Sequence, residues 1–250
     1  MSRTLTFGEA INFIRSSLPP QFEDGFAAEV CNIATAKCWE TYDFRETLCD
    51  LPPFFPTPGA QIHGAPMVAV PTDFMGLRQV WLCYLASNPV QYNRMAIVKF
   101  LDDTGVLGIP RDICYDPKSC SFKIFPRVAY NVGSPSWLIT GIYKTKPPRV
   151  TAANYNTTLL PFDDMYFYNF LEVLRWAAWE MSGNPRAGEI ATDKNGNYRA
   201  SGQIAKAIGA LSDMAANEGL ELGDPAIAPS EALVGNTYAN GYWPGSGLYW

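Results

Sequence analysis

Histidine limits what this chain can do chemically. Its one histidine, His63, sits in the proline- and glycine-rich run "TPGAQIHGAP". A Ser-His-Asp or Cys-His arrangement would have to use that residue, and no serine or cysteine lies in a nucleophile-elbow context. Asp193-Lys194-Asn195-Gly196-Asn197 places oxygens at alternate positions, as at the start of a calcium loop. The pattern then fails, with Tyr198 where glycine is required and Ile204 where a bidentate Glu belongs. The carboxylate pairs Asp102-Asp103 and Asp163-Asp164 are sequence neighbours, whereas a glycosidase draws its acid and base from separate segments. They read as a turn and a helix start. "GYWPGSGLYW" contains Gly-x-Gly with no strand before it and no room for a helix after it, which excludes a dinucleotide fingerprint. Asn156-Thr157-Thr158 is a glycosylation sequon by pattern only. These residues point to no catalytic, metal or cofactor site, and the chain reads as a non-enzyme.

Six cysteines, Cys31, Cys38, Cys49, Cys83, Cys114 and Cys120, lack any C-x-x-C spacing and read as reduced, mostly buried thiols. The first ten residues hold no apolar run of signal-peptide length, and no stretch reaches the roughly 18 apolar residues of a membrane span. The expectation is a protein made in a cytoplasm. A net charge of -5 argues against tight wrapping of nucleic acid, which draws on many Lys and Arg contacts to phosphate. An acidic wall that DNA slides past remains compatible with it. With 17% charged and 14% aromatic residues, there is little charge to cover the surface and much apolar area to hide, which favours an oligomer.

The elements that carry these residues follow from spacing. Thr6-Phe7-Gly8-Glu9 fits a capping box, and Phe7, Ile11, Ile14 and Leu18 continue a helix that Pro19-Pro20 ends. A second helix opens near Asp24, with Phe26, Val30, Ala34 and Cys38 in an i, i+4 row, and runs to about Trp39 or Tyr42. Short apolar runs follow, predicting strands over Met67–Val70, Gly76–Tyr84, Ile97–Leu101, Ser121–Phe125 and Trp137–Lys144 as a small antiparallel sheet or sandwich. A third helix begins with Pro161 and Asp163-Asp164 in its first turn. It is apolar all round, which predicts contact with a second subunit as well as the core. A turn-rich loop over Gly183–Tyr198 leads to a last helix from about Ala200 to Asn217, with Ile204, Ile208, Leu211 and Ala215 on one face and Gly219 as its cap. The expected fold is α+β: a helical bundle of two N-terminal and two C-terminal helices, a central antiparallel β-domain and an extended C-terminal tail. The boundaries expected are 1–50 and 151–222 for the helices, 51–150 for the β-domain and 223–250 for the tail.

Three stretches resemble a known family: "WETYDFRETLCDLPPFFPTPGAQIHGAP" from Trp39, "VAVPTDFMGLRQVWL" from Val68 and "LLPFDDMYFYNFLEVLRWAAWE" from Leu159. In order and spacing they are similar to the head-to-tail adaptor (connector) proteins of tailed bacteriophages, particularly short-tailed ones, over roughly Trp39 to Leu220. The resemblance implies a structural virion protein. It would assemble with itself as a ring, usually a dodecamer, beneath the portal, join the portal protein to the tail nozzle protein, and line the DNA ejection channel without reading sequence. Pro71, Asp73 and Phe74 match one family motif, and Leu160, Pro161, Asp163 and Asp164 another; both read as scaffold positions. The closing segment "GNTYANGYWPGSGLYW" sets Tyr238, Tyr242, Trp243, Tyr249 and Trp250 on a frame of glycines. It is expected to dock on a neighbouring protein, the portal first among them, by folding on binding. The alternative function is a carbohydrate- or receptor-binding tail component whose Trp and Tyr rings stack on sugars.

Overall fold

The structure, a computed structural model, describes residues 3–20, 22–55, 70–84, 91–99, 106–118, 120–128, 137–192 and 198–218. The chain divides into a unit formed by Thr47–Lys146 and a second that comprises the residues up to Glu46 and resumes at Pro147.

In the first of these, β1 (Leu48–Phe54), β2 (Phe74–Tyr84), β3 (Gln91–Arg94) and β9 (Trp137–Thr145) make an antiparallel sheet in the order β1-β9-β2-β3. Between them in sequence lie β4 (Ala96–Ile97), β5 (Leu107–Gly108), β6 (Asp112–Asp116), β7 (Ser121–Phe125) and β8 (Arg127–Val128). β6 pairs with β7 antiparallel, while β4 joins β6 and β5 joins β8 in parallel, so the sheets are antiparallel with two short parallel additions. Leu51, Phe54, Phe74, Leu77, Val80, Leu82 and Ile139 from the larger sheet and Ile113, Phe122 and Ile124 from the three-stranded one close over a single core. Its centre is aromatic: Phe74 meets Phe122 edge-on at 5.3 Å, Tyr115 at 4.8 Å and Tyr143 at 5.8 Å.

Strand β1 was hidden by Pro52 and Pro53, which cannot donate to a ladder. They are tolerated here because β1 is an edge strand whose register slips between Leu51 and Phe54, leaving both prolines exposed. Gly141, in the central strand β9, is required by close approach: a Cβ there would stand 2.2 Å from the Gln79 carbonyl oxygen. The β2–β9 register shifts between Leu77 and Gln79, next to that contact. The expected strand over Met67–Val70 falls mainly outside the described residues, and Val70 itself is not in a strand. That expected over Ile97–Leu101 is observed only as the two-residue β4, its end lying outside the described residues.

Among the described residues, the second unit contains four α-helices. α1 (Phe7–Phe13) carries the full capping box, the Glu9 carboxylate accepting from Thr6 N–H at 2.7 Å and Thr6 Oγ1 from Glu9 N–H at 3.2 Å. It is shorter than its apolar row predicts. A 3-10 turn at Arg15–Ser17 takes over and still buries Ile14 and Leu18. α2 (Asp24–Thr41) has the expected bounds, and buries Val30, Cys31, Ala34, Cys38 and Trp39. α3 (Phe167–Met181) begins later than predicted, because Asp163 caps a separate 3-10 turn at Asp164–Tyr166 and Pro161 lies ahead of both. α4 (Gly202–Asn217) packs on α3 through Ala207, Ala210, Leu211 and Met214, with Ile208 only half-buried. The residue expected to cap it, Gly219, lies outside the described residues. The segment expected as plain loop contains a 3-10 turn at Pro185–Ala187 and a two-stranded hairpin of β10 (Ile190–Thr192) and β11 (Tyr198–Ala200). Where the hairpin meets the start of α4, Gly188 at φ +84° and Gly202 at φ +64° leave no room for a side chain.

This unit's core joins α1, α2, α3 and α4 through Phe7, Phe44, Phe162 and Phe170, with Trp39 packed on Phe162 at 5.5 Å. Phe167, Phe170, Leu171, Val173, Leu174, Ala177 and Ala178 of α3 are all buried within the chain itself. α1, α2 and α4 thus cover much of the apolar surface of α3, while Trp176 and Trp179 stay half-buried and Tyr168 exposed. The fold is α+β, with four α-helices and antiparallel sheets among the described residues. All six cysteines are free; Cys31, Cys38, Cys83 and Cys114 are buried, and Cys49 and Cys120 are exposed. Burial pushes the Cys31 thiol up to about 12 and raises Cys38 further still, so these two remain protonated and inert.

Candidate functional site

The two motifs singled out in the sequence each become a joint between segments far apart in the chain. In the first, Pro71 accepts the Phe74 N–H at 3.0 Å, closing the turn that starts β2. Asp73 then bonds in two directions: its carboxylate accepts from the Tyr143 hydroxyl at 2.9 Å, and its backbone carbonyl accepts from Lys146 N–H. Lys146 Nζ donates to the Thr72 carbonyl at 3.1 Å. The turn is thereby fastened to the end of β9, and Phe74 drops into the aromatic core at 4% exposure. Burial, followed by the Asp73 carboxylate, pushes the Tyr143 phenol up to about 12, so it stays a neutral donor.

In the second joint, Leu160 N–H donates to the Leu5 carbonyl at 2.9 Å, and Thr6 bridges to Leu159. Phe162 fills the core beside Phe44 and Phe170. Asp163 caps the 3-10 turn by accepting from Met165 N–H at 3.1 Å. Asp164, the first residue of that turn, bonds beyond it. It reaches back to the start of the chain, accepting from Thr4 N–H at 3.0 Å, Thr4 Oγ1 at 2.7 Å and Leu5 N–H at 3.2 Å. One carboxylate thus holds the strand-like residues that lead into α1. Replacing Asp164 with Ala is expected to lower the unfolding free energy by about 1–2 kcal/mol, the exposed position reducing what charged hydrogen bonds otherwise contribute. Amide exchange should show lost protection at Thr4 and Leu5, with partial retention in Asp164→Asn, which keeps an acceptor.

α4 is clamped to α3 by side-chain amides. Gln203 Nε2 donates to the Glu172 carbonyl at 3.1 Å and to its carboxylate at 2.6 Å, and Asn169 Nδ2 donates to the Ala210 carbonyl at 3.1 Å. Arg175 pairs with the same Glu172 carboxylate.

The remaining candidates separate by position. His63, Asp102-Asp103, Asp193–Asn197 and the aromatics Tyr238, Tyr242, Trp243, Tyr249 and Trp250 lie outside the described residues. Among the described residues, no three His, Cys, Asp or Glu side chains are placed to hold a metal ion, and no helix is long and apolar enough to cross a membrane. Sequence reasoning missed one surface. Phe13, at 60% exposure, stands edge-on to Phe167 at 5.2 Å, and Phe167 in turn touches Tyr168, at 72%. Phe13 falls off the row of Phe7, Ile11 and Ile14, which was the available signal.

What the described residues bring together are hydrogen-bonded joints between distant segments of the chain, inert buried thiols and exposed aromatic rings. No curated protein matches the chain. The likeness to phage head-to-tail adaptors read from three short stretches is met by a family model described as SU10 adaptor protein, which fits residues 46–222 and so takes in the first joint, Asp163, Asp164 and the α3–α4 clamp; the chain belongs to that family of phage structural proteins.

Proposed function

We propose that the protein is the head-to-tail adaptor of a short-tailed phage. Twelve copies close into a ring beneath the portal vertex, bind the portal protein above and the tail nozzle protein below, and leave a lumen through which DNA passes without sequence-specific contact. Membership of the adaptor family over residues 46–222 carries this reading. The composition supports it: a net charge of -5 lowers the adhesion of DNA to a channel wall, and an aromatic, charge-poor chain suits extensive contact between subunits. In this reading residues 1–50 and 151–222 make the helical bundle, 51–150 the β-domain and 223–250 the docking tail. Its five aromatics cover themselves on the portal. The chain carries out no catalysis and needs no cofactor; it is made in the host cytoplasm and ends in the tail of the virion.

Electron microscopy of virions and of the purified protein tests the proposal. A closed ring coaxial with the tail is the expected result. A peripheral trimer or fibre would overturn it in favour of a carbohydrate- or receptor-binding component.

A further inference from the structure

The helical unit sets a half-buried carboxyl against a buried one that its other contacts leave short of a donor. Glu46, in the 3-10 turn Arg45–Thr47, is the last residue of this unit before the chain passes to the β unit, and its side chain is 4% exposed. Its Oε1 faces Arg3 at 3.6 Å, but its buried Oε2 has no hydrogen-bond partner among the described residues. Within hydrogen-bonding reach lies the carboxyl of Glu218, the residue that caps α4. Glu218 accepts from Arg45 N–H at 3.0 Å, and its own N–H donates to the Met214 carbonyl at 3.1 Å. Two ionised carboxylates offer only acceptors, so this contact is repulsive and the Glu46 oxygen stays orphaned unless a proton lies between them.

We propose that Glu218 carries a proton that it donates to the orphaned Glu46 oxygen, forming a latch that ties the last turn of α4 to the 3-10 turn at Arg45–Thr47 and that opens when the proton is lost. The charged and titratable groups around the pair are Arg3 on Glu46, Arg45 beside Glu218, and Asp163 and Tyr166 from the turn that precedes α3. Two arginines and three carboxyl groups leave room for one neutralising proton. Tyr166 does not compete for it, because burial, with Glu218 and Glu46 next, raises its phenol and keeps it neutral.

Burial, and then the neighbouring Glu46, lift the Glu218 carboxyl above the ordinary carboxylate range, against the lowering influence of Arg45. A folded-state value above the unfolded one gives stabilisation that is complete in acid, below the unfolded value. It is lost as pH rises through the folded value. The latch is closed on the acid side and open above that window. Its opening frees the residue from which the 219–250 segment departs.

Amide hydrogen exchange of the full-length protein between pH 4 and 8, corrected for the intrinsic pH dependence of exchange, tests the latch at the last turn of α4. Protection of the last turn of α4 is expected to fall on the order of tenfold as the pH rises through the Glu218 value. Glu218→Gln supplies a permanent N–H donor to Glu46 and should hold protection at the acid-side level across the range. Glu46→Gln, which donates in the other direction, should do the same and serves should either variant fold poorly. A wild-type profile without a step, or a step that persists in a folded glutamine variant, overturns the proposal.

Discussion

A chain lacking residues 236–250 is expected to fold normally and to leave portal-bearing heads without tails. Among the described residues, the two hydrophobic cores are built between Phe7 and Ala215, all of which the cut leaves in place. What is removed is Tyr238, Tyr242, Trp243, Tyr249 and Trp250, five rings that could each withdraw roughly 150–250 Å² from water on a partner. Their glycine setting makes ordering costly for an isolated segment, and a partner surface must supply the compensating burial. Circular dichroism and the thermal midpoint of the truncated protein should match the full chain, while pull-down by portal-bearing heads should fall to background. Attachment at the full-length level by a truncated chain would rule out the docking role and leave the family assignment untouched.

The second large effect concerns stability. Phe170→Ala is expected to cost about 3–5 kcal/mol, the range for emptying a fully buried aromatic site. Phe170 is 0% exposed and meets both Phe7 of α1 and Phe162 at 5.9 Å, so its ring is the common neighbour of segments from opposite ends of the helical unit. Domain stabilities are typically about 5–15 kcal/mol, so the loss is a large fraction of what holds that unit together. Because the β unit has a core of its own, urea unfolding should separate into two transitions. The helical far-ultraviolet signal should move to lower urea while fluorescence from Trp81 and Trp137 on the sheet keeps its midpoint. A shift of less than about 1 kcal/mol would show that the site collapses around the cavity and that Phe170 is not the keystone described here.

How much of this could be read in advance depended on how local the cause was. The capping box at Thr6 and Glu9, the bounds of α2 and the alternation of β7 are decided within a few residues, and sequence spacing predicted them. Strand β1 was obscured because Pro52-Pro53 break a central strand but not an edge, and edge position depends on pairing with β9 some ninety residues away. The parallel pairs β4–β6 and β5–β8 are two residues long on one side, too brief for any periodicity. At the candidate joints the residue types were visible and their partners were not. Asp164 looked like a helix-start carboxylate, yet its ligands are Thr4 and Leu5, and the partner of Asp73 is the Tyr143 hydroxyl. Glu46 lay unremarked inside the family-like stretch from Trp39, and Glu218 near the end of α4, since only the fold puts a buried acceptor against a second carboxyl.

The β unit interrupts the helical unit, and its two ends are neighbours: Leu48 pairs with Lys144, and Thr145 Oγ1 donates to the Thr47 carbonyl at 3.2 Å. During synthesis this ordering imposes a schedule. A ribosome releasing about 5–20 residues per second completes α1 and α2 first, then spends roughly 5–20 s on the hundred residues of Thr47–Lys146 before any of α3 exists. Throughout that interval Phe7, Val30, Ala34 and Trp39 lack the surface they are shaped to meet, while the described core of the β unit lies wholly within residues already made. The nascent chain therefore has a defined window of vulnerability, and the helical half is the part that a chaperone, or a neighbouring nascent copy, would encounter.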